Sequence, residues 1–349
     1  AMTLDCGTLL AFAPTESGDV RMRSKDFPGE VRFRLDDVPD RKAGDWGNYL
    51  RGAVRALQRQ FQLNTGLVGI TQGSISEGGL SSSAAVGVAY LLALESVNGL
   101  TVPPEQNILL DGEIENVYMG LQIGILDQSA ILLSRRDHLT LIDCADLTHE
   151  LIPRSDSMRP FSILIAFSGL RQSLTSTDYN RRVDECSTAA VTLLRAAGVS
   201  EVAPLLGNVT AVQYERFRHL LRGPSARRAA HFFSEVDRVR FGVEAWRLGN
   251  VEEFGRRISE SGASSIDNYE CGAPPLIDLY KRLIDSEAVF GARFSGAGFR
   301  GCCMALVEPD EAERVATEVC AGYSRQFPDL AKNAWTVICR SGDGARLVR

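Results

Sequence analysis

The stretch Gly78-Gly79-Leu80-Ser81-Ser82-Ser83-Ala84-Ala85 sets two glycines and three hydroxyls at the opening of an apolar helical run. Glycines let the backbone turn tightly. A helix start offers unpaired N–H groups and a positive dipole end, which is what a polyphosphate needs. A serine N-cap on a core helix is the bland alternative, but capping uses one hydroxyl rather than three. No Gly-Lys-Ser/Thr follows, so this is not a Walker loop. A second candidate is Asp127, in Gly124-Ile125-Leu126-Asp127-Gln128. A carboxylate among apolar neighbours needs a cation or several donors, or its pKa rises. On residue types alone Asp127 reads equally well as such a buried acid or as the N-cap of a helix over 128–134. Glu115, in Glu115-Asn116-Val117-Tyr118-Met119-Gly120, reads on its own as a solvated surface acid. Gly296-Ala297-Gly298-Phe299-Arg300-Gly301 satisfies G-x-G-x-x-G, yet Cys302–Val307 after it is strand-like where a dinucleotide fingerprint opens a helix. A simple hairpin turn is the plain alternative, though it would not need so many glycines.

The elements that must position these residues follow from hydrophobic period. Thr8–Ala13, Val20–Met22 and the alternating Val31, Phe33 and Leu35 predict antiparallel strands. Tyr49, Ala53, Leu57 and Phe61 predict a helix over 46–62, and Val68–Thr71 a short strand before the serine loop. Ser81–Ser96 is helical. Pro103-Pro104-Glu105 opens another helix, whose buried stripe should be Leu110, Ile114, Val117 and Leu121. Leu139–Ile142 reads as the last strand of a first lobe. The polar segment between Asp143 and Pro160 carries the boundary, giving lobes over 1–150 and 160–349. The second lobe opens with the strand Ile163–Phe167, is helical from Arg182 to Glu287, and ends with strands at Ala292–Ser295, Cys302–Val307 and Val337–Cys339. Strands and helices do not alternate regularly, so the fold class is α+β rather than a doubly wound parallel sheet.

Composition sets the outer limits. A chain of 349 residues is comfortable as two lobes, and 44% hydrophobic with 23% charged residues is ordinary for a globular protein. The net charge of -6 and absence of a basic cluster argue against nucleic acid, and no apolar run approaches a membrane span. None of the eight cysteines forms C-x-x-C or has histidine at zinc spacing, so free thiols in a reducing cytoplasm are expected.

Together the motifs resemble those of the GHMP kinases, the family of galactokinase, homoserine kinase and mevalonate kinase. Gly78–Ala85 is similar to the family's second motif, with Ile75 where the pattern has proline. Gly124–Gln128 resembles the galactokinase Gly-Ile-Met-Asp-Gln segment, whose aspartate is the catalytic base. Glu115–Gly120 resembles the stretch whose glutamate binds magnesium. Gly291–Cys302 resembles the third motif, a glycine loop that supports the phosphate loop. Tyr179-Asn180-Arg181-Arg182-Val183-Asp184-Glu185-Cys186 is similar to a galactokinase run whose tyrosine meets the sugar, and Ser264–Cys271 to a segment near the sugar-binding cleft. Gly79–Glu95, Gly124–Ser134 and Ala166–Gln172 look most like a subgroup, the galacturonic acid kinases of plants.

The resemblance implies a two-lobed GHMP kinase fold, with an N-terminal lobe like ribosomal protein S5 and a ferredoxin-like α/β-sandwich C-terminal lobe. It implies transfer of the γ-phosphoryl group of ATP to the C1 hydroxyl of galacturonic acid. Asp127 would be the base, and Mg²⁺ would sit on Ser83 and Glu115. Gly78, Gly79, Leu80, Ser81, Ser82, Ser83, Ala84, Gly296 and Gly298 would hold the nucleotide. Gly124, Tyr179 and Arg171 would meet the sugar, Arg171 as the cation for the C6 carboxylate. The family's first motif, which binds sugar hydroxyls and sets an arginine beside the base, would lie upstream of Thr3–Pro14. As given, the chain is therefore expected to lack one wall of the sugar pocket. Galactokinase, arabinokinase and a non-catalytic sugar and ATP sensor are the rival readings, with a dehydrogenase around Gly296–Gly301 a distant one. A monomer or homodimer with a small-molecule partner, and neither nucleic acid nor membrane, completes the expectation.

Overall fold

The computed structural model describes residues 1–74, 82–121, 123–170, 179–296, 298–299 and 301–348; the side chains of Ser82 and Tyr179 lie outside that description. The chain forms two compact units. The first takes in Ala1–Glu77, Ser81–Pro153 and Arg340–Arg349, and the second runs chiefly over Arg154–Cys339. The last ten residues thus pack with the first unit, tied by Gly342 N–H to Thr3 O at 2.9 Å and Gly344 N–H to Ser134 O at 2.8 Å.

In the first unit, strands β1 (Thr8–Pro14), β2 (Asp19–Ser24) and β3 (Glu30–Arg34) precede helix α1 (Asn48–Gln58) and strand β4 (Leu67–Gly73). Helices α2 (Ser82–Val97), α3 (Pro104–Gly112) and α4 (Leu126–Leu133) follow, then the hairpin β5 (His138–Ile142) and β6 (His149–Pro153). The sheet order is β1-β4-β2-β3. The expected antiparallel arrangement holds for β2 with β3, but β4 inserts between β1 and β2 and pairs parallel with β2. Period-two alternation sends Val20 and Met22 inward against Leu50, Val54 and Leu57 of α1. Helix α2 is apolar on nearly every side, so it is buried, with Val88, Leu91, Ala93 and Leu94 fully enclosed. Strand β6 falls inside the segment read as polar linker. His149 and Glu150 are exposed and only Ile152 turns inward, too little alternation to mark a strand.

Helix α3 does not continue as read. After Gly112 the chain widens into a π-helical turn over Glu113–Tyr118, with Met119 N–H bonded to Ile114 O at 2.9 Å. Leu110 and Ile114 are buried as expected, but Val117 is 58% exposed. The wider turn rotates Val117 out and brings Tyr118 in, where its hydroxyl donates to Pro39 O at 3.0 Å. Gly52 of α1 makes this approach possible, since a β-carbon there would stand 2.9 Å from Ile114 Cγ2.

The second unit contains β7 (Ser162–Phe167), α5 (Tyr179–Ala196), α6 (Ala211–Phe217), α7 (Gly223–Arg247), α8 (Val251–Asp267) and α9 (Pro274–Ile284). Strands β8 (Val289–Phe294) and β9 (Cys302–Val307), helices α10 (Ala312–Gln326) and α11 (Pro328–Ala331), and β10 (Trp335–Cys339) complete it. Its sheet, ordered β10-β7-β9-β8, is antiparallel throughout. Every residue of β7 is buried, which explains its unbroken apolar run. No helix among the described residues is long and apolar enough to cross a membrane.

Strand β8 lies unusually close to α8. A β-carbon on Gly291 would meet Gly255 O at 1.9 Å, and one on Gly255 would meet Phe290 O at 2.1 Å. Backbone cannot yield as a side chain does, so Gly291→Ala should cost about 1–3 kcal/mol or more by overpacking. Gly207→Ala, with nothing within 4 Å of its β-carbon, should stay within about 0.5 kcal/mol of the parent. Urea midpoints of the two variants check this; equal midpoints would contradict the close approach.

Candidate active site

Ser83 opens the description of the serine loop. It lies half-buried in the first turn of α2, followed by buried Ala84. Gly78, Gly79, Leu80, Ser81 and the side chain of Ser82 lie outside the described residues. Across from Ser83 stands Glu115, brought inward by the π-helical turn and 1% exposed. Burial pushes the Glu115 carboxyl above the usual range, the neighbouring Ser83 hydroxyl pulls it back, and the charge of Asp127 pushes it up again. Glu115 Oε1 has no hydrogen-bond partner. The surface-acid reading of Glu115 therefore fails, while Ser83 and Glu115 do come together.

Asp127 sits in the first turn of α4, with Ile125 at the N-cap. It is therefore not an N-cap, and it is half-buried rather than enclosed, because neighbouring Leu126 is 53% exposed. The loop residues Ile123 and Gly124 lead into this turn. Asn116 clamps that loop, accepting from Ile123 N–H at 2.8 Å and donating to Ile123 O at 3.1 Å. Gln128, fully buried, donates to Gly124 O at 3.2 Å and leaves its own Oε1 unpartnered. Gly124 is exposed.

One turn before Glu115 lies a third acid that motif reading passes over. Asp111 is fully buried, neither carboxylate oxygen has a partner, and burial, reinforced by Glu115 and Asp127, pushes it up to about 8. Its place exists because α2 carries glycine opposite: a β-carbon on Gly87 would stand 2.1 Å from Asp111 Oδ1. The polar seam continues inward to Asn107, which donates to Glu95 at 3.3 Å; burial raises Glu95 to about 7. The only signal for this seam in the sequence is the four-residue spacing of Asn107, Asp111 and Glu115.

This donor set suits a hard cation. Ser83 and Glu115 offer oxygen only, and Glu115 Oε1 is an orphaned acceptor that a cation would satisfy. No three His, Cys, Asp or Glu side chains among the described residues gather as ligands. A cation held here would take its remaining ligands from phosphate oxygens and water.

In the second unit the glycine-rich loop joins β8 to β9 as a hairpin, with Ser295 N–H bonded to Cys302 O at 2.9 Å. Gly296, Gly298 and Gly301 hold φ of 68°, 75° and 94°, which favours glycine at each. A strand follows and no helix opens, so the dinucleotide reading is excluded. Arg171 and the side chain of Tyr179 lie outside the described residues. Downstream on α5, Glu185 pairs at 2.7 Å with Arg228, which is fully buried and also reaches Glu270 at 2.5 Å and Asn268 O. Arg182 donates to Glu270 O at 3.0 Å. These bonds pin Asn268–Glu270, where Glu270 takes a left-handed φ of 53°.

Residues 48–135 match the GHMP kinases N terminal domain, and residues 243–325 match GHMP kinases C terminal. The chain is 50% identical to a galacturonokinase of Arabidopsis thaliana, over 100% of this chain and 88% of that protein. It is 32% identical to a galactokinase of Roseiflexus sp. (strain RS-1), over 98% of this chain and 85% of the other. Among solved structures, Lactococcus lactis galactokinase complexed with galactose superposes with a TM-score of 0.89 at 27% identity, covering 99% and 88% of the two chains. A mevalonate kinase superposes at 0.64 and 16% identity, covering 98% and 91%, a likeness of fold.

The raised acid has a measurable consequence. A carboxyl whose folded pKa exceeds its unfolded value favours folding below the unfolded value, and that contribution is lost as pH rises through the folded one. For Asp111 the window runs from about 4 to about 8. Urea unfolding should show stability falling across it by of order a few kcal/mol, and falling less steeply in Asp111→Asn. Parallel slopes for the two proteins would contradict the burial of an ionisable acid.

Proposed function

The chain belongs to the GHMP kinase family, and on that premise we propose that it phosphorylates the C1 hydroxyl of galacturonic acid with ATP, releasing ADP. The observation that carries the reading is the meeting of Ser83 with Glu115 on one side and half-exposed Asp127 on the other. Half the residues are shared with the Arabidopsis galacturonokinase along the whole chain, which supports the uronate as substrate.

Asp127 accepts the proton of the C1 hydroxyl as that oxygen bonds to the γ-phosphorus and the bond to the β,γ-bridging oxygen breaks. Its partial exposure leaves it within reach of a sugar. Burial reserves Ser83 and Glu115 for a cation. Magnesium there would offset charge on the phosphate oxygens. We assign phosphate contacts to backbone N–H groups of Gly78–Ser82 and Ala84, with Gly296 and Gly298 as the supporting turn. We assign sugar contacts to Gly124 and Tyr179, and the C6 carboxylate to Arg171. A reducing cytosol suits the buried thiols of Cys271 and Cys303, each donating to a backbone carbonyl.

Galactokinase activity is the second reading, favoured by the likeness to the Roseiflexus and Lactococcus proteins. A panel of galacturonic acid, galactose and arabinose, read by ADP release, separates the two. A carboxylate met by a guanidinium should raise kcat/KM for the uronate over galactose by about ten- to a hundredfold, and Arg171→Ala should abolish the preference. Equal rates on both sugars would refute the uronate assignment. Asp127→Asn should lower kcat by about 10²- to 10⁴-fold with ATP binding unchanged; an undiminished kcat removes Asp127 as the base.

A further inference from the structure

The seam between α2 and α3 holds, next to Glu115, a carboxylate that the proposed reaction leaves unused. Asp111 is fully buried, and neither of its oxygens meets a donor. It projects from the same helix face as Glu115, four residues on. The opposing helix keeps step. Ser83 lies beside Glu115, and one turn further along α2 Gly87 opens the space that Asp111 Oδ1 fills. Gln128 closes the neighbourhood, its amide nitrogen 4.0 Å from where a β-carbon on Gly112 would stand. Asp111 Oδ1 and Oδ2, Glu115 Oε1 and Gln128 Oε1 are all buried acceptors without a partner.

The chemistry of the set is one-sided. Each unsatisfied buried acceptor costs about 1–3 kcal/mol, and these four oxygens have no hydrogen-bond partner. A water coordinated to a metal has its lone pair engaged and presents its hydrogens outward. Magnesium retains several such waters when bound by one or two protein ligands. A cation nearby favours the ionised, accepting form of Asp111, and unsatisfied acceptors beside a one-carboxylate cation site match the outer face of a hydrated ion.

We propose that Asp111 is a positioning residue of the cation site: it accepts hydrogen bonds from the water shell of the ion that Ser83 and Glu115 hold, and so sets that ion's affinity. This rests on the reading of Ser83 and Glu115 as ligands. Partners of this kind typically change metal affinity by about 10- to 100-fold when removed.

Mn²⁺ is the probe, titrated into the full chain with ADP and followed by the electron paramagnetic resonance of the free ion. Asp111→Asn, equal in size but carrying donors where acceptors are needed, should weaken Mn²⁺ binding by about 10- to 100-fold. Gly87→Ala, which forces the intact carboxylate aside, should weaken it in the same direction. Glu115→Gln serves as the reference and should weaken it in any case. Wild-type Mn²⁺ affinity in Asp111→Asn and Gly87→Ala, beside a loss in Glu115→Gln, would overturn the role of Asp111 alone. So would a shifted melting temperature with unmoved Mn²⁺ affinity, the mark of a packing role. Wild-type affinity in Glu115→Gln would overturn the cation site itself.

Discussion

Two helices that bury carboxylates against each other set the terms for everything else in the first unit. An ionised carboxylate in an apolar seam is unfavourable unless paired, so the seam either keeps protons or recruits cations and donors. Here the contact of Ser83 with Glu115 and the gap at Gly87 opposite Asp111 make α2 and α3 fit only when those acids face inward. The start of α2 is at once the end of that seam and the place where a phosphate would meet free N–H groups. The cost of burying acid is thus concentrated where a polyanion and its counter-cation would arrive together.

The π-helical turn makes this possible. With α geometry continued, Val117 would face the core where Tyr118 now anchors to Pro39. The widened turn frees Val117 to solvent, holds Glu115 against Ser83, and leaves Asn116 positioned to clamp Ile123. That clamp in turn fixes the loop before α4 and the bearing of Asp127. π-helical turns of this kind are frequent at functional sites.

Much of this was legible from residue order. Period-two alternation located β3, apolar residues at Thr8–Ala13 and Val20–Met22 located β1 and β2, and Ile163–Phe167 read directly as a strand. Serines after paired glycines marked the start of α2, and the spacing of Glu115 and Asp127 marked the site through likeness to the family. What stayed hidden depends on more than period. Insertion of β4 between β1 and β2 is a pairing over long range that alternation does not encode. Val117 misled because a stripe assumes one helical pitch. Asp111 went unmarked, since nothing nearby on the chain announces the space at Gly87 that receives it. Arg228, fully buried between Glu185 and Glu270, was equally unmarked amid an arginine-rich helix.

A structure of the full chain with galacturonic acid, Mg²⁺ and a non-hydrolysable ATP analogue tests the central claim most directly. The account predicts the C1 hydroxyl within hydrogen-bond distance of the Asp127 carboxylate, and the metal on Ser83 Oγ and Glu115 Oε1. A metal bound away from Glu115, or a C1 hydroxyl facing a group other than Asp127, would contradict it.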